Sequence, residues 1–229
     1  MLEAVPNKKL GMWGSMSVAA KSADEVVRLG VIGVGIMGSN HARVLADLSG
    51  VKVVGIADPG ASHRDLLGQI VGCEVCDSAE ALLDLGIDAA VIAAPTHLHH
   101  DIALTCIKRG VHVLVEKPIA SNVEEGRAIV AAAERAGVTL MVGHVERFNP
   151  VVAAAREVAT KPQFFEIHRL AVFSPRSLDI DVVLDLMIHD LDIVLSLVPA
   201  AVREVGAVGI PVLSAKADIA NARVEFDDG

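Results

Sequence analysis

Short apolar runs and longer amphipathic stretches alternate along most of this chain, and the grain of that alternation changes once. From Arg28 to about Val142, runs rich in β-branched residues predict strands near Leu29–Val34, Val51–Ala57, Cys73–Cys76, Ala89–Ala93, His112–Val115 and Thr139–Val142. Between them, helical spacing predicts helices near Ser39–Leu48, Ser62–Ile70, Ala79–Leu85, Leu98–Arg109 and Val123–Ala136, each closed by glycine or a polar turn. Regular alternation of strand and helix marks a parallel sheet with crossover helices.

After Phe148-Asn149-Pro150 the pattern reads as a helix to about Ala159, a long strand around Gln163–Phe173, an amphipathic helix near Val182–Val198, and strands around Val202–Val208 and Ala217–Phe226. This is a second, α+β unit. The fold class is therefore α/β, with an extension at 1–27, a first domain at 28–147 and a second, partial one at 148–229. The closing Asp227-Asp228-Gly229 is a hairpin-turn signal whose return strand is absent, which would leave an unpaired edge and points to a portion of a longer protein.

Composition narrows the partners. Hydrophobic residues make up 52% and charged residues 21%, yet no apolar run approaches the ~20 residues of a membrane span. A net charge of −9 and the lack of any tyrosine or basic stripe argue against nucleic acid. Three cysteines, Cys73, Cys76 and Cys106, make no disulfide framework and fit a reducing cytoplasm. Cys73 and Cys76 read as core or edge thiols, since no helix N-terminus follows the first of them. Met1 to Val27 carries Lys8 and Lys9 but no apolar core with a cleavage site, so it reads as a mobile extension or a misplaced start, not a secretory signal.

The most informative stretch joins the first strand to the first helix, Gly33-x-Gly35-x-x-Gly38. Gly33 allows a tight turn, Gly35 lets backbone approach a pyrophosphate, and Gly38 lets helix pack on strand. An ordinary tight turn is the alternative, and context decides against it: the next strand ends in Asp58, twenty positions after Gly38. A carboxylate there accepts hydrogen bonds from ribose hydroxyls and repels a 2′-phosphate, favouring NAD over NADP, with Arg64 as the counter-indication. Gly33, Gly35, Ile36, Met37, Gly38 and Asp58 are the candidate cofactor contacts of this half.

Further chemistry gathers at the same sheet edge. Ala94-Pro95-Thr96-His97-Leu98-His99-His100 opens a helix, with Thr96 a plausible cap and Pro95, Thr96 and His99 candidate cofactor contacts. Its three histidines lack a matching Cys, Asp or Glu pattern, so no metal site is expected. The next strand delivers Glu116-Lys117-Pro118, where Lys117 could stabilise an alkoxide or move a proton. Further on, Asp185 and His189 are four apart on a helix, a base with its orienter, whereas Asp190 and Asp192 read as exposed capping acids.

These motifs, with Val142-Gly-His-Val-Glu-Arg-Phe-Asn-Pro150, resemble the glucose-fructose oxidoreductase and inositol dehydrogenase family, Gfo/Idh/MocA, from Arg28 onward. The resemblance implies an N-terminal Rossmann domain, a C-terminal domain with an open, mainly antiparallel sheet that often makes the oligomer interface, and catalytic roles for Lys117, Asp185 and His189. It also implies cofactor contacts at Glu116 and Lys117. Within the family the chain looks most like the nucleotide-sugar branch, which implies oxidation of a UDP-N-acetylglucosamine-type substrate at its 3-hydroxyl. An inositol or free-sugar dehydrogenase is the alternative, and a catalytically silent NAD-binding protein the alternative of another class. Members commonly carry glycines in and before the catalytic helix, and Ile180 to Met187 has none.

His144, Arg147, Arg169 and Arg176 are the candidate substrate contacts. A nucleotide sugar brings a diphosphate, which guanidinium groups hold by paired, charge-assisted bonds. In a full-length enzyme, Arg169→Ala or Arg176→Ala is expected to raise the Michaelis constant for a UDP-sugar and leave that for NAD alone. Steady-state kinetics with both ligands checks this; unchanged constants in both variants would count against a diphosphate-bearing substrate.

Overall fold

The computed structural model describes residues 26–172 and 180–227. The extension at 1–25 and the candidate Arg176 lie outside the described residues. Strands β1 (Val27–Ile32), β2 (Val51–Ala57), β3 (Glu74–Cys76), β4 (Ala89–Ile92), β5 (His112–Glu116) and β6 (Leu140–Gly143) form one parallel sheet in the order β3-β2-β1-β4-β5-β6. Helices α1 (Ile36–Ala46), α2 (Ala61–Val71), α3 (Ala79–Leu83), α4 (His99–Lys108) and α5 (Val123–Ala136) make the crossovers. That strand order reverses between β1 and β4, which opens a crevice at their carboxyl ends.

Continuous apolar strands are what a sheet buried on both faces requires. Successive side chains point to opposite faces, so Val31 and Val91 pack with Ala42 of α1, Ile56 and Leu67 of α2. Their neighbours Ile32 and Ile92 pack on the other side with Leu82 of α3, Cys106 of α4 and Ile129 of α5. Helix ends are set locally: Ser78 Oγ accepts from Ala81 N–H and Asn122 Oδ1 from Glu125 N–H, while Gly72 and Gly137 close α2 and α5 in the left-handed conformation.

The second unit holds α6 (Pro150–Val158), a π-helical turn over Val183–Met187, α7 (Ile188–Leu197) and the antiparallel hairpin of β7 (Val202–Ile210) and β8 (Ile219–Phe226). Three expectations need correction. Helix α1 begins at Ile36 and not Ser39, because the Ser39 N–H already bonds Gly35 O. The stretch from Gln163 forms no strand over its described residues: no neighbouring strand lies along it, and a cleft lined by Phe164, Ile167, Val194 and Phe226 separates it from β8. Strand β8 starts at Ile219, since Asp218 Oδ2 collects the N–H groups of Val212, Leu213 and Ser214 at 2.7 to 2.9 Å and holds the loop closed. Those bonds draw the Asp218 carboxyl far below its ordinary value.

Leu82 is fully buried and fills the space left by the missing side chains of Gly30 and Gly55. Leu82→Ala is expected to lower unfolding free energy by about 3 kcal/mol through lost burial and the cavity left behind, read by urea titration.

Candidate active site

The fingerprint turn is shaped by two collisions that only glycine avoids. Gly33 has φ +84°, and a Cβ there would lie 2.5 Å from Ala94 N on β4's exit. A Cβ on Gly38 would lie 1.8 Å from Gly33 O. Gly35 differs: its φ is −60° and a Cβ would meet nothing within 4 Å. No protein atom excludes a side chain there, so the space in front of Gly35 is open to a ligand. The first-turn N–H groups of Ile36, Met37 and Gly38 border that space without intrahelical partners, which fits a dinucleotide pyrophosphate.

Asp58 ends β2 beside this turn. Its Oδ2 accepts from Val34 N–H at 2.9 Å and its Oδ1 from Gly60 N–H at 2.7 Å, leaving each oxygen a lone pair for a ribose hydroxyl. Arg64 does not offer itself to a 2′-phosphate. Its Nη1 donates to the carbonyls of Asp58 and Cys76 at 3.0 and 3.3 Å, and its Nε to Asp65. Neither Cys73 nor Cys106, on opposite sides of the sheet, favours the thiolate: burial pushes Cys73 up to about 11 and Cys106 up to about 12.

On the other side of the crevice, Pro95 leads into a 3-10 turn, Thr96–Leu98, so Thr96 begins that turn and does not cap α4. His99 is buried, with Nε2 2.8 Å from Ala94 O and Nδ1 2.9 Å from Pro118 O, and it ties the loop after β4 to the loop after β5. Glu116 is buried too, its Oε1 2.7 Å from His41 Nε2 and its Oε2 accepting from Lys117 N–H. Burial pushes the Glu116 carboxyl up, but the hydrogen bond and charge of His41 together with the N–H and charge of Lys117 outweigh it, and the net shift is downward. His41 was not legible as a site residue; it lies on α1, seventy-five residues from its partner.

Lys117 reaches the second unit. Its Nζ donates to Asp185 O at 2.8 Å and Oδ1 at 3.0 Å, joining the two domains at the expected catalytic residues. The expectation that Asp185 orients His189 is corrected: the carboxylate bonds Lys117, and His189 Nδ1 is buried without a partner among the described residues. Asp185 sits in the π turn, where residues pair five apart, so the four-residue rule for a common face fails. Burial lowers the His189 pKa, and the positive charges of Lys117 and Arg169 lower it further. A neutral imidazole near an ammonium donor can take a proton while the lysine faces the oxygen that loses it.

The arginines are paired. Arg169 closes its fork on Asp190, with Nη2 to Oδ1 at 2.7 Å, and Arg147 closes on Asp192 through Nε to Oδ2 at 3.0 Å and Nη2 to Oδ1. Asp190 and Asp192 are therefore not exposed capping acids; Asp192 is only 9% exposed. An acid so placed needs a cationic partner. His144, beside Arg147, holds Nδ1 4.0 Å from Asp192 Oδ1 and likewise buried without a hydrogen bond among the described residues.

Together the fold and site define a Rossmann-type dinucleotide-binding protein with a Lys-Asp-His cluster at its sheet edge. Residues 27–144, just over half the chain, match the oxidoreductase family described by its NAD-binding Rossmann fold. The chain belongs to this Gfo/Idh/MocA family. It is 39% identical over 204 residues to the UDP-N-acetylglucosamine 3-dehydrogenase of Acidithiobacillus ferrooxidans, which covers 89% of this chain and 64% of the relative. The solved structure of that enzyme superposes with a TM-score of 0.83 at 38% identity, over 89% of this chain and 67% of that one. An inositol 2-dehydrogenase of Mycolicibacterium smegmatis is 30% identical over 177 residues, covering 73% of this chain and 51% of its own. GenD2 of gentamicin A biosynthesis, solved in complex with NAD, gives a TM-score of 0.76 at 25% identity, over 90% of this chain and 64% of that one. The chain thus spans less than two thirds of the length of the curated relatives named here. No helix among the described residues is long and apolar enough to cross a membrane.

With Arg64 committed to carbonyls, Asp58→Ala is expected to weaken NAD far more than NADP, because acceptor and repulsion vanish together. Fluorescence titration of both reduced cofactors checks this; equal loss for both would remove Asp58 from the ribose site.

Proposed function

We propose that the protein is an NAD-dependent oxidoreductase that oxidises a sugar ring hydroxyl to a ketone, the substrate being a nucleotide sugar of the UDP-N-acetylglucosamine type attacked at its 3-hydroxyl. The observation that carries this reading is the contact of Lys117 Nζ with Asp185 beside a His189 whose burial and cationic neighbours favour the neutral ring. Bound NAD supplies the hydride acceptor. His189 takes the hydroxyl proton, while Lys117, with two N–H groups committed to Asp185, turns its remaining donor to the developing alkoxide. Asp185 holds that ammonium in place. Carbon loses hydride and oxygen loses a proton, so the product is a ketone with the electron pair on the nicotinamide.

The higher identity to the UDP-N-acetylglucosamine enzyme supports the nucleotide-sugar reading over the inositol one. Closure of Arg169 and Arg147 on Asp190 and Asp192 favours the second reading, inositol or free sugar, because a diphosphate would compete with carboxylates already in place. His144 remains a candidate substrate contact. We place the enzyme in the cytoplasm as a homo-oligomer, in keeping with the exposed apolar positions Val205, Val208 and Ile210 on β7. NADH absorbance of the full-length enzyme with NAD and UDP-sugars, inositols and glucose separates the two readings, and no turnover with any of them would sink both in favour of a silent NAD-binding protein.

His189→Ala and Lys117→Ala are each expected to lower turnover by roughly 10²-fold or more while cofactor binding stays nearly intact. Because the His189 pKa lies below its ordinary value, the required neutral form persists at pH 7. Turnover is expected to stay level there and to fall only as pH drops below the usual imidazole range. A pH profile with its acid limb above that range would contradict His189 as the base.

A further inference from the structure

The segment carrying His189 is tied to the Rossmann unit at two places. Ahead of it, Asp185 holds Lys117 Nζ. Three residues beyond it, on the same face of the regular helix α7, Asp192 takes the fork of Arg147 from the turn Val145–Phe148 after β6. Asp192 is almost out of water, and a carboxylate so placed demands a cationic partner. A planar guanidinium with two parallel bonds fixes angle as well as distance, which a lysine cannot do. Arg169 also grips α7 through Asp190, but from the segment before the helix and not from the Rossmann unit. With respect to that unit the second tether restrains roll of α7 about the Lys117 contact, and His189 lies between the two tethered acids along the chain.

We propose that Arg147 and Asp192 are positioning residues: their ion pair sets the rotation of α7 and thereby the place of the His189 ring against Lys117. Arg147 then acts through the helix and not on the substrate. The placement stands on geometry alone; its consequence for turnover rests on the oxidoreductase reading.

Arg147→Lys is the informative variant, since it keeps every charge and removes only the fork. NMR titration of the His189 ring in the 229-residue chain reads its surroundings. Burial, Lys117, Arg169 and His144 hold the midpoint down, and Glu146 opposes them. Arg147→Lys and Asp192→Asn are expected to raise the midpoint by about half a pH unit or more as the ring leaves that setting. Loss of the Asp192 charge by itself would lower it, so a rise reports movement. Melting temperature and NADH affinity are expected to stay near the parent values, while kcat falls about tenfold with little change in the Michaelis constant for NAD. The reversed pair, Arg147→Asp with Asp192→Arg, is expected to recover part of the loss. An unmoved midpoint in Arg147→Lys overturns the proposal, and decides alone if Asp192→Asn does not fold. The kinetic arm is read in the full-length enzyme, and absence of turnover there, with the midpoint shifted as described, would count against the oxidoreductase reading only.

Discussion

Everything at the candidate site depends on how closely β1 can approach β4 at their carboxyl ends. Gly33 meets the backbone of Ala94, and Gly38 meets the carbonyl of Gly33, at distances that admit no Cβ. These contacts let α1 start directly above the sheet, so its free N–H groups face the crevice where the strand order reverses. A larger residue at either place would push the helix off the sheet. The cradle at Gly35 would then lose its donors.

The second constraint is electrostatic. The crevice gathers Lys117, Arg147 and Arg169, and each of these cations has an acid assigned to it. Lys117 has Asp185, Arg147 has Asp192, Arg169 has Asp190, and His41 on the far side has Glu116. His189 is left without such a partner, and it is the group whose pKa burial and positive neighbours lower. The pairing thus separates fixed charges that hold the frame from the ring proposed to exchange a proton.

Much of the first domain was legible because both of its signals are local. A buried parallel strand must be apolar throughout, as in Val51–Ala57, and the turn between β1 and α1 needs glycine wherever a Cβ would collide. Lys117, Asp185 and His189 could be singled out from their motifs, and Asp58 from its distance to the glycines, but of the three only Lys117 and Asp185 bond one another. The first turn of α1, the start of β8 and the strand expected from Gln163 were not. Each depends on a bond or a neighbour outside its own run: Gly35 O for Ser39 N–H, the three amides gathered by Asp218, and an adjoining strand.

By itself, then, the amino-acid order determined the alternating pattern and the dinucleotide turn, because these follow from periodicity and from steric needs within a few residues. Only the tertiary structure decided which charge belongs to which partner. Asp185 serves Lys117 in place of His189 because a π turn changes the face it occupies. Asp192 is a buried clamp and not a surface cap because Arg147, forty-five residues away, comes back to meet it. Pairing of charges over such separations is set by the path of the chain in space, and no spacing within the sequence encodes it.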